Sequence, residues 1–175
     1  MKKGLMISLA GVAMIAVVIS WLLFPNLKAS ADSTSIRIST PEVVDAGETF
    51  VARIDIDPKV AVAGIQFDIT FDPEQVTPGP VIVGELFTDN DSGYYFVPGN
   101  ISIDKGSIEG IIGVVTGSGR SIATPGTVVR ITFTAGPDAG VCPFSLSNVI
   151  AGDVAANAIP LSVVNSEVTI VATKD

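Results

Sequence analysis

Beyond Ala31 the apolar side chains recur at every second position, and that rhythm confines the chain to strands. In Phe50-Val51-Ala52-Arg53-Ile54-Asp55-Ile56-Asp57, apolar residues fill 50, 52, 54 and 56 while charges fall at 53, 55 and 57. Ile65, Phe67, Ile69 and Phe71 alternate with Gln66, Asp68 and Thr70, and Val129, Ile131 and Phe133 with Arg130, Thr132 and Thr134. A last region, Leu161 to Ala172, contains Val163, Val168 and Ile170. One face is buried and the other wet, as in antiparallel sheets. Turn formers interrupt the runs at Asp57-Pro58, Asp72-Pro73, Pro78-Gly79-Pro80, Asp91-Ser92-Gly93, Pro98-Gly99, Gly117-Ser118-Gly119, Pro125-Gly126 and Gly136-Pro137. The pattern predicts strands over 35–39, 49–57, 61–71, 80–83, 94–104, 108–116, 126–135, 143–150 and 160–172. Such spacing points to an all-β sandwich or barrel of about eight to ten strands.

Residues 1–31 obey a different rule. Lys2 and Lys3 precede an apolar run from Gly4 to Phe24, Pro25 ends it, and Ala29-Ser30-Ala31 matches a small-residue cleavage site. The run reads as an export signal, and at 21 residues it is also long enough to cross a bilayer as a helix. Residues 1–31 are therefore either a cleaved signal peptide or an N-terminal transmembrane anchor, with membrane contact confined to 4–24. Either outcome leaves residues 32–175, expected as one domain, outside the cytoplasm, because Lys2 and Lys3 favour the inner side.

Composition removes several chemistries. The chain has no histidine and one cysteine, which rules out a Ser-His-Asp triad, a His-ligated zinc, an internal disulfide and a thiolate cage. Leaving out residues 1–31 removes Lys2, Lys3 and Lys28 and no acid, so 7 basic and 18 acidic residues remain, a formal charge of −11. That balance argues against nucleic acid, which needs a basic face. Cys142, in a strand-like segment beside Phe144, is expected as a small buried hydrophobe. The glycines at 110, 113, 117 and 119 lack the Lys-Ser/Thr of a phosphate loop. Nothing calls for a cofactor.

The order of motifs resembles a cohesin domain. Val62-Ala63-Gly64-Ile65-Gln66-Phe67-Asp68-Ile69-Thr70-Phe71-Asp72-Pro73 is similar to the family's strand running into an F/Y-D-P turn. Gly126 to Phe133, Leu146 to Ile150 with Gly152-Asp153, Ile159-Pro160-Leu161 and Val168-Thr169-Ile170 follow in the family's order, so the resemblance covers about residues 35–172. It implies a nine-stranded jelly-roll β-sandwich, related to carbohydrate-binding modules, that binds dockerin modules on one flat sheet face. Dockerins carry duplicated D-x-N-x-D-G calcium loops, and their absence here implies the receptor side. In well-known dockerin-binding cohesins an Asn and an Asp hold the places of Gly64 and Gln66. Gln66 still hydrogen-bonds but brings no charge, and Gly64 brings no side chain.

The candidate recognition face is Gly64, Gln66, Asp68 and Thr70, which alternation turns away from the core. Its partner would be a protein, dockerin-bearing or other, met at the cell surface or in polysaccharide-degrading assemblies. The alternative is a carbohydrate-binding module of the same fold, with Tyr94 and Tyr95 contacting polysaccharide. Asn90-Asp91-Ser92 and Asn100-Ile101-Ser102 fit the pattern that accepts glycans in exported chains. Asp89 and Asp91 are a weak calcium candidate, because an EF-hand starting at Asp89 would need Gly where Tyr94 stands and Glu where Asn100 stands. Asp55 with Asp57, Asp89 with Asp91, and Asp72 with Glu74 are surface or turn acids, so no catalytic carboxylate pair is expected.

Overall fold

A computed structural model describes residues 33–89 and 93–173. Its strands are β1 (Thr34–Ser39), β2 (Val43–Asp45), β3 (Thr49–Asp57), β4 (Gly64–Thr70), β5 (Val76–Val83), β6 (Tyr94–Ser102), β7 (Ser107–Val115), β8 (Gly126–Ala135), β9 (Gly140–Gly152), β10 (Leu161–Val164) and β11 (Ser166–Val171). One short helix, α1 (Glu85–Thr88), lies between β5 and β6. The first sheet runs β10-β1-β3-β8-β5 and the second β2-β11-β9-β4-β7-β6. Pairing is antiparallel except at β1 with β10 and at β11 with β2. Where β3 meets β8, Phe50 stands opposite Phe133 and Ile54 opposite Val129, so each inward row continues from strand to strand.

Those rows meet between the sheets. Ile36, Ile54, Ile131 and Phe133 from the first sheet and Phe67, Ile69, Ile111, Phe144 and Ile170 from the second are all buried. The ring of Phe133 lies 5.0 Å from that of Phe144 and 5.4 Å from that of Phe71, both edge-on, and joins the two layers. Burying each such ring stabilises the fold by about 1.5–3 kcal/mol before entropy is counted. Cys142 is fully buried in this core, and burial pushes its thiol pKa up.

Among the described residues eleven strands stand where nine were expected. The region 160–172 divides at Asn165, with β10 in the first sheet and β11 in the second. Val163 and Val168 are five residues apart, an odd separation that breaks the alternation, and the chain changes layer there. The Asn165 side chain repairs the crossing by accepting a hydrogen bond from the Leu146 amide (3.0 Å). Strand β2, three residues long, is too short to show a period. Strand β5 begins at Val76, upstream of the expected 80–83, because it lies at a sheet edge where Pro78 and Pro80 are tolerated.

Helix α1 was also unforeseen. It delivers Phe87, 2 % exposed, beneath Gly113 of β7. A Cβ at Gly113 would stand 2.5 Å from the Phe87 ring, so that glycine is a packing requirement. The segment expected to be a signal peptide or transmembrane helix lies outside the described residues. Among the described residues, no helix is long and apolar enough to cross a membrane.

Candidate functional site

Strand β4 lies inside the second sheet between β9 and β7, and its even-numbered residues form the outward row. Gln66 and Asp68 are half-buried on that row and Thr70 is exposed. On both sides of Asp68 the neighbouring strand carries one extra residue, a β-bulge. Asp68 spans the two bulges: Oδ1 accepts from the Gly110 amide (2.7 Å) and Oδ2 from the Asn148 side-chain amide (2.6 Å). Gly110 (φ 74°) and Asn148 (φ 50°) adopt the left-handed backbone that these bulges require. Asp68 thus spends its acceptors on holding the sheet together as well as facing outward.

The other half of the face is apolar. Val97 of β6, Ile112 of β7, Gln66 and Ile150 of β9 line up in register. The next outward row is Tyr95, Val114, Gly64 and Gly152. Ile150 and Tyr95, each 59 % exposed, are the most exposed large apolar side chains among the described residues. A shallow depression of about 310 Å³ lies between Gln66, Ile112, Val114 and Ile150, with Gly64 and Gly152 as its floor. Asp153 borders it. Its carboxylate accepts from the Asn157 side chain (3.0 Å), the Asn157 amide (2.8 Å) and the Ala155 amide (2.9 Å). These bonds, the Asn157 side chain foremost, hold its pKa below the ordinary aspartate value.

The structure thus gathers Gly64, Gln66, Asp68 and Thr70 on one face, brings Tyr95, expected as a sugar contact, onto the same face, and adds Val97, Ile112, Val114 and Ile150, which the alternation argument missed. The signal for Ile112 and Val114 was present: Ile111-Ile112-Gly113-Val114-Val115 is apolar on both faces, as in a strand covered on both sides.

The remaining candidates are dispersed. Tyr94, still 41 % exposed, packs its ring 6.2 Å from that of Phe87 and points to the opposite face of β6 from Tyr95, so the two do not form one platform. Asn100 is exposed on β6 opposite Glu109. Asn90 and Asp91 lie outside the described residues. Asp89 lines a cleft of about 550 Å³ with Glu85 and Arg120. Among the described residues, no group of three Cys, Asp or Glu is placed to hold a metal ion. Asp55, one of the surface acids, ties three strands of the first sheet by accepting from Thr127 (2.7 Å) and Ser39 (3.0 Å).

Fold and face together define a two-sheet β-sandwich of the interaction-module class, with a broad sheet surface and an apolar centre. The cohesin domain family model matches residues 34–170, and the chain belongs to that family. Cohesin domains are non-catalytic interaction modules. Solved structures share the fold. A non-cellulosomal cohesin from the archaeon Archaeoglobus fulgidus aligns with a TM-score of 0.64 at 16 % identity, over 79 % of this chain and 91 % of that one. A Clostridium thermocellum OlpA cohesin, solved in a type I cohesin–dockerin complex, gives 0.65 at 15 % identity, over 80 % of this chain and 100 % of that one. The cohesin module of a Clostridium perfringens family 33 glycoside hydrolase gives 0.65 at 17 %, over 81 % and 98 %. No curated protein matches the chain in sequence.

Proposed function

We propose that the chain is an exported, non-catalytic adaptor that captures a dockerin-type protein on the outer face of its second sheet. The apolar rows in register across β6, β7, β4 and β9 carry this reading, because a lone sandwich would cover that face with polar side chains. Tyr95, Ile112, Val114, Ile150 and Gln66 are the anchors, and Gly64 leaves room for the partner. Asp68 keeps the face flat, and Thr70 belongs to its polar end. Binding energy would come from a few of these anchors and not from the whole area. The order of the long strands accords with the jelly-roll topology that the family implies.

Residues 1–31 act as export signal or membrane anchor, and residues 32–175 as one cohesin module at the cell surface or in the extracellular medium. A carbohydrate role keeps only Tyr95 on this face, since Tyr94, the preceding strand residue, points to the other one. The test is calorimetric titration of the chain with purified dockerin modules encoded in the same genome. Binding is expected and should vanish in Ile150→Asp. Absence of binding to every module, or full binding by that variant, would refute the reading.

A further inference from the structure

Strand β1 stops short of its partner in the first sheet. Ser39 stands opposite Arg53, yet β3 reaches back to Thr49. In the same register Pro41 would face Val51, and proline has no amide to give. The chain leaves the sheet there and builds β2 in the other layer. On its far side β3 stays paired with β8: the Ala135 amide donates to the Glu48 carbonyl (2.8 Å), and Phe50 and Phe133 are partners. Backbone groups of an antiparallel strand alternate between its two neighbours, so Thr49 and Val51 point theirs to the open side. Among the described residues no strand meets them there. A groove of about 500 Å³ runs along this notch, lined among others by Pro41, Phe50 and Val51. Arg53 and Glu48, which bracket the open stretch in sequence, also line it.

We propose that this notch receives an extended, acidic peptide segment of another protein as an added strand beside Thr49 and Val51, with a carboxylate of the peptide held by Arg53. The unpaired backbone groups supply the ladder, as wherever a peptide extends a sheet. Arg53 supplies the charge. It is exposed, its one ion pair is to Asp55 at 4.0 Å, and the Asp55 oxygens already accept from the Ser39 and Thr127 hydroxyls. Across the ladder Arg53 faces Arg130, a like-charge pairing that an incoming carboxylate relieves. Glu48 at the other end repels a second acid and so fixes the peptide's polarity. Running antiparallel to β3, the peptide would carry its acid opposite Val51. Its next residue would turn inward, where the buried Phe50 selects an apolar side chain. The notch lies in the first sheet, so the proposal stands whether or not the second sheet captures a dockerin.

The experiment pairs a peptide selection with amide exchange. A phage-displayed library of short linear peptides is selected on the full chain, and enriched peptides are synthesised with blocked ends. They should share Asp or Glu followed directly by an apolar residue. Their affinity should fall at least about tenfold on Arg53→Gln, as for the loss of a charge-assisted bond. Thermal melting of that variant is measured alongside and should stay close to that of the parent chain. In the free chain the Thr49 and Val51 amides should exchange quickly by NMR while those of Phe50 and Ala52 are protected, and the peptide should slow both. Methylating the peptide amide that faces Val51 should abolish binding. Slow exchange of both amides in the free chain, enriched peptides that leave them unchanged, ignore Arg53→Gln or tolerate the methyl group, or a selection that enriches nothing, would overturn the proposal. Protection that grows with protein concentration in the absence of peptide would assign the notch to a second copy and overturn it as well.

Discussion

Replacing Asp68 with Ala should loosen the second sheet at its centre. The substitution removes two acceptors at once, leaving the Gly110 amide and the Asn148 side chain without their partner. Hydrogen bonds to a charged group contribute about 1.5–3 kcal/mol each when sheltered. Here one bond is half-buried and the other exposed, so the combined loss should be about 2–3 kcal/mol. With a urea slope of about 2 kcal/mol per molar, the midpoint of unfolding should fall by roughly 1 M. Asp68→Asn keeps an acceptor for Gly110 and should lose less. A cycle with Asn148→Ala should return a coupling above about 0.5 kcal/mol. A midpoint shift under about 0.3 M for Asp68→Ala would refute the claim that this carboxylate ties the two bulges.

Gly113→Ala should destabilise by about 1–3 kcal/mol through the Phe87 clash, and Phe87→Leu in the same chain should recover part of that loss in a denaturant titration. Phe87→Ala alone should cost about 3–5 kcal/mol. The Cys142 thiol, buried and raised in pKa, should resist a thiol reagent in the folded chain and react once urea unfolds it. The Asp153 carboxylate should titrate below the ordinary aspartate range by NMR, and Asn157→Ala should move it back up. Its folded pKa lies below the unfolded one, so its stabilising effect is present above the unfolded value and fades as pH falls through the folded one.

Alternation exposed the long strands because each has one dry and one wet face. Strand β8 begins and ends where the pattern of Val129, Ile131 and Phe133 places it. The pattern was silent where that condition fails. The layer change at Asn165 depends on which sheet receives the chain, a question of partners far away in sequence. Helix α1 is four residues long and is justified by the space above Phe87, which Gly113 supplies from another strand. The outward row of β4 was legible from Ile65, Phe67 and Ile69. Its neighbours were not, because bulges beside Asp68 shift the phase of β7 and β9: Ile108 and Ile111 are both buried although they stand three positions apart, an odd offset.

The four open sheet margins bear on how this chain behaves when many copies are crowded together. Strand β5 carries Pro78 and Pro80, β6 carries Pro98, and β2 and β10 are only three and four residues long. None offers a long unbroken ladder to a neighbouring molecule. Dense arrays of the protein should therefore resist strand-to-strand stacking, leaving adhesion to the patch around Ile150.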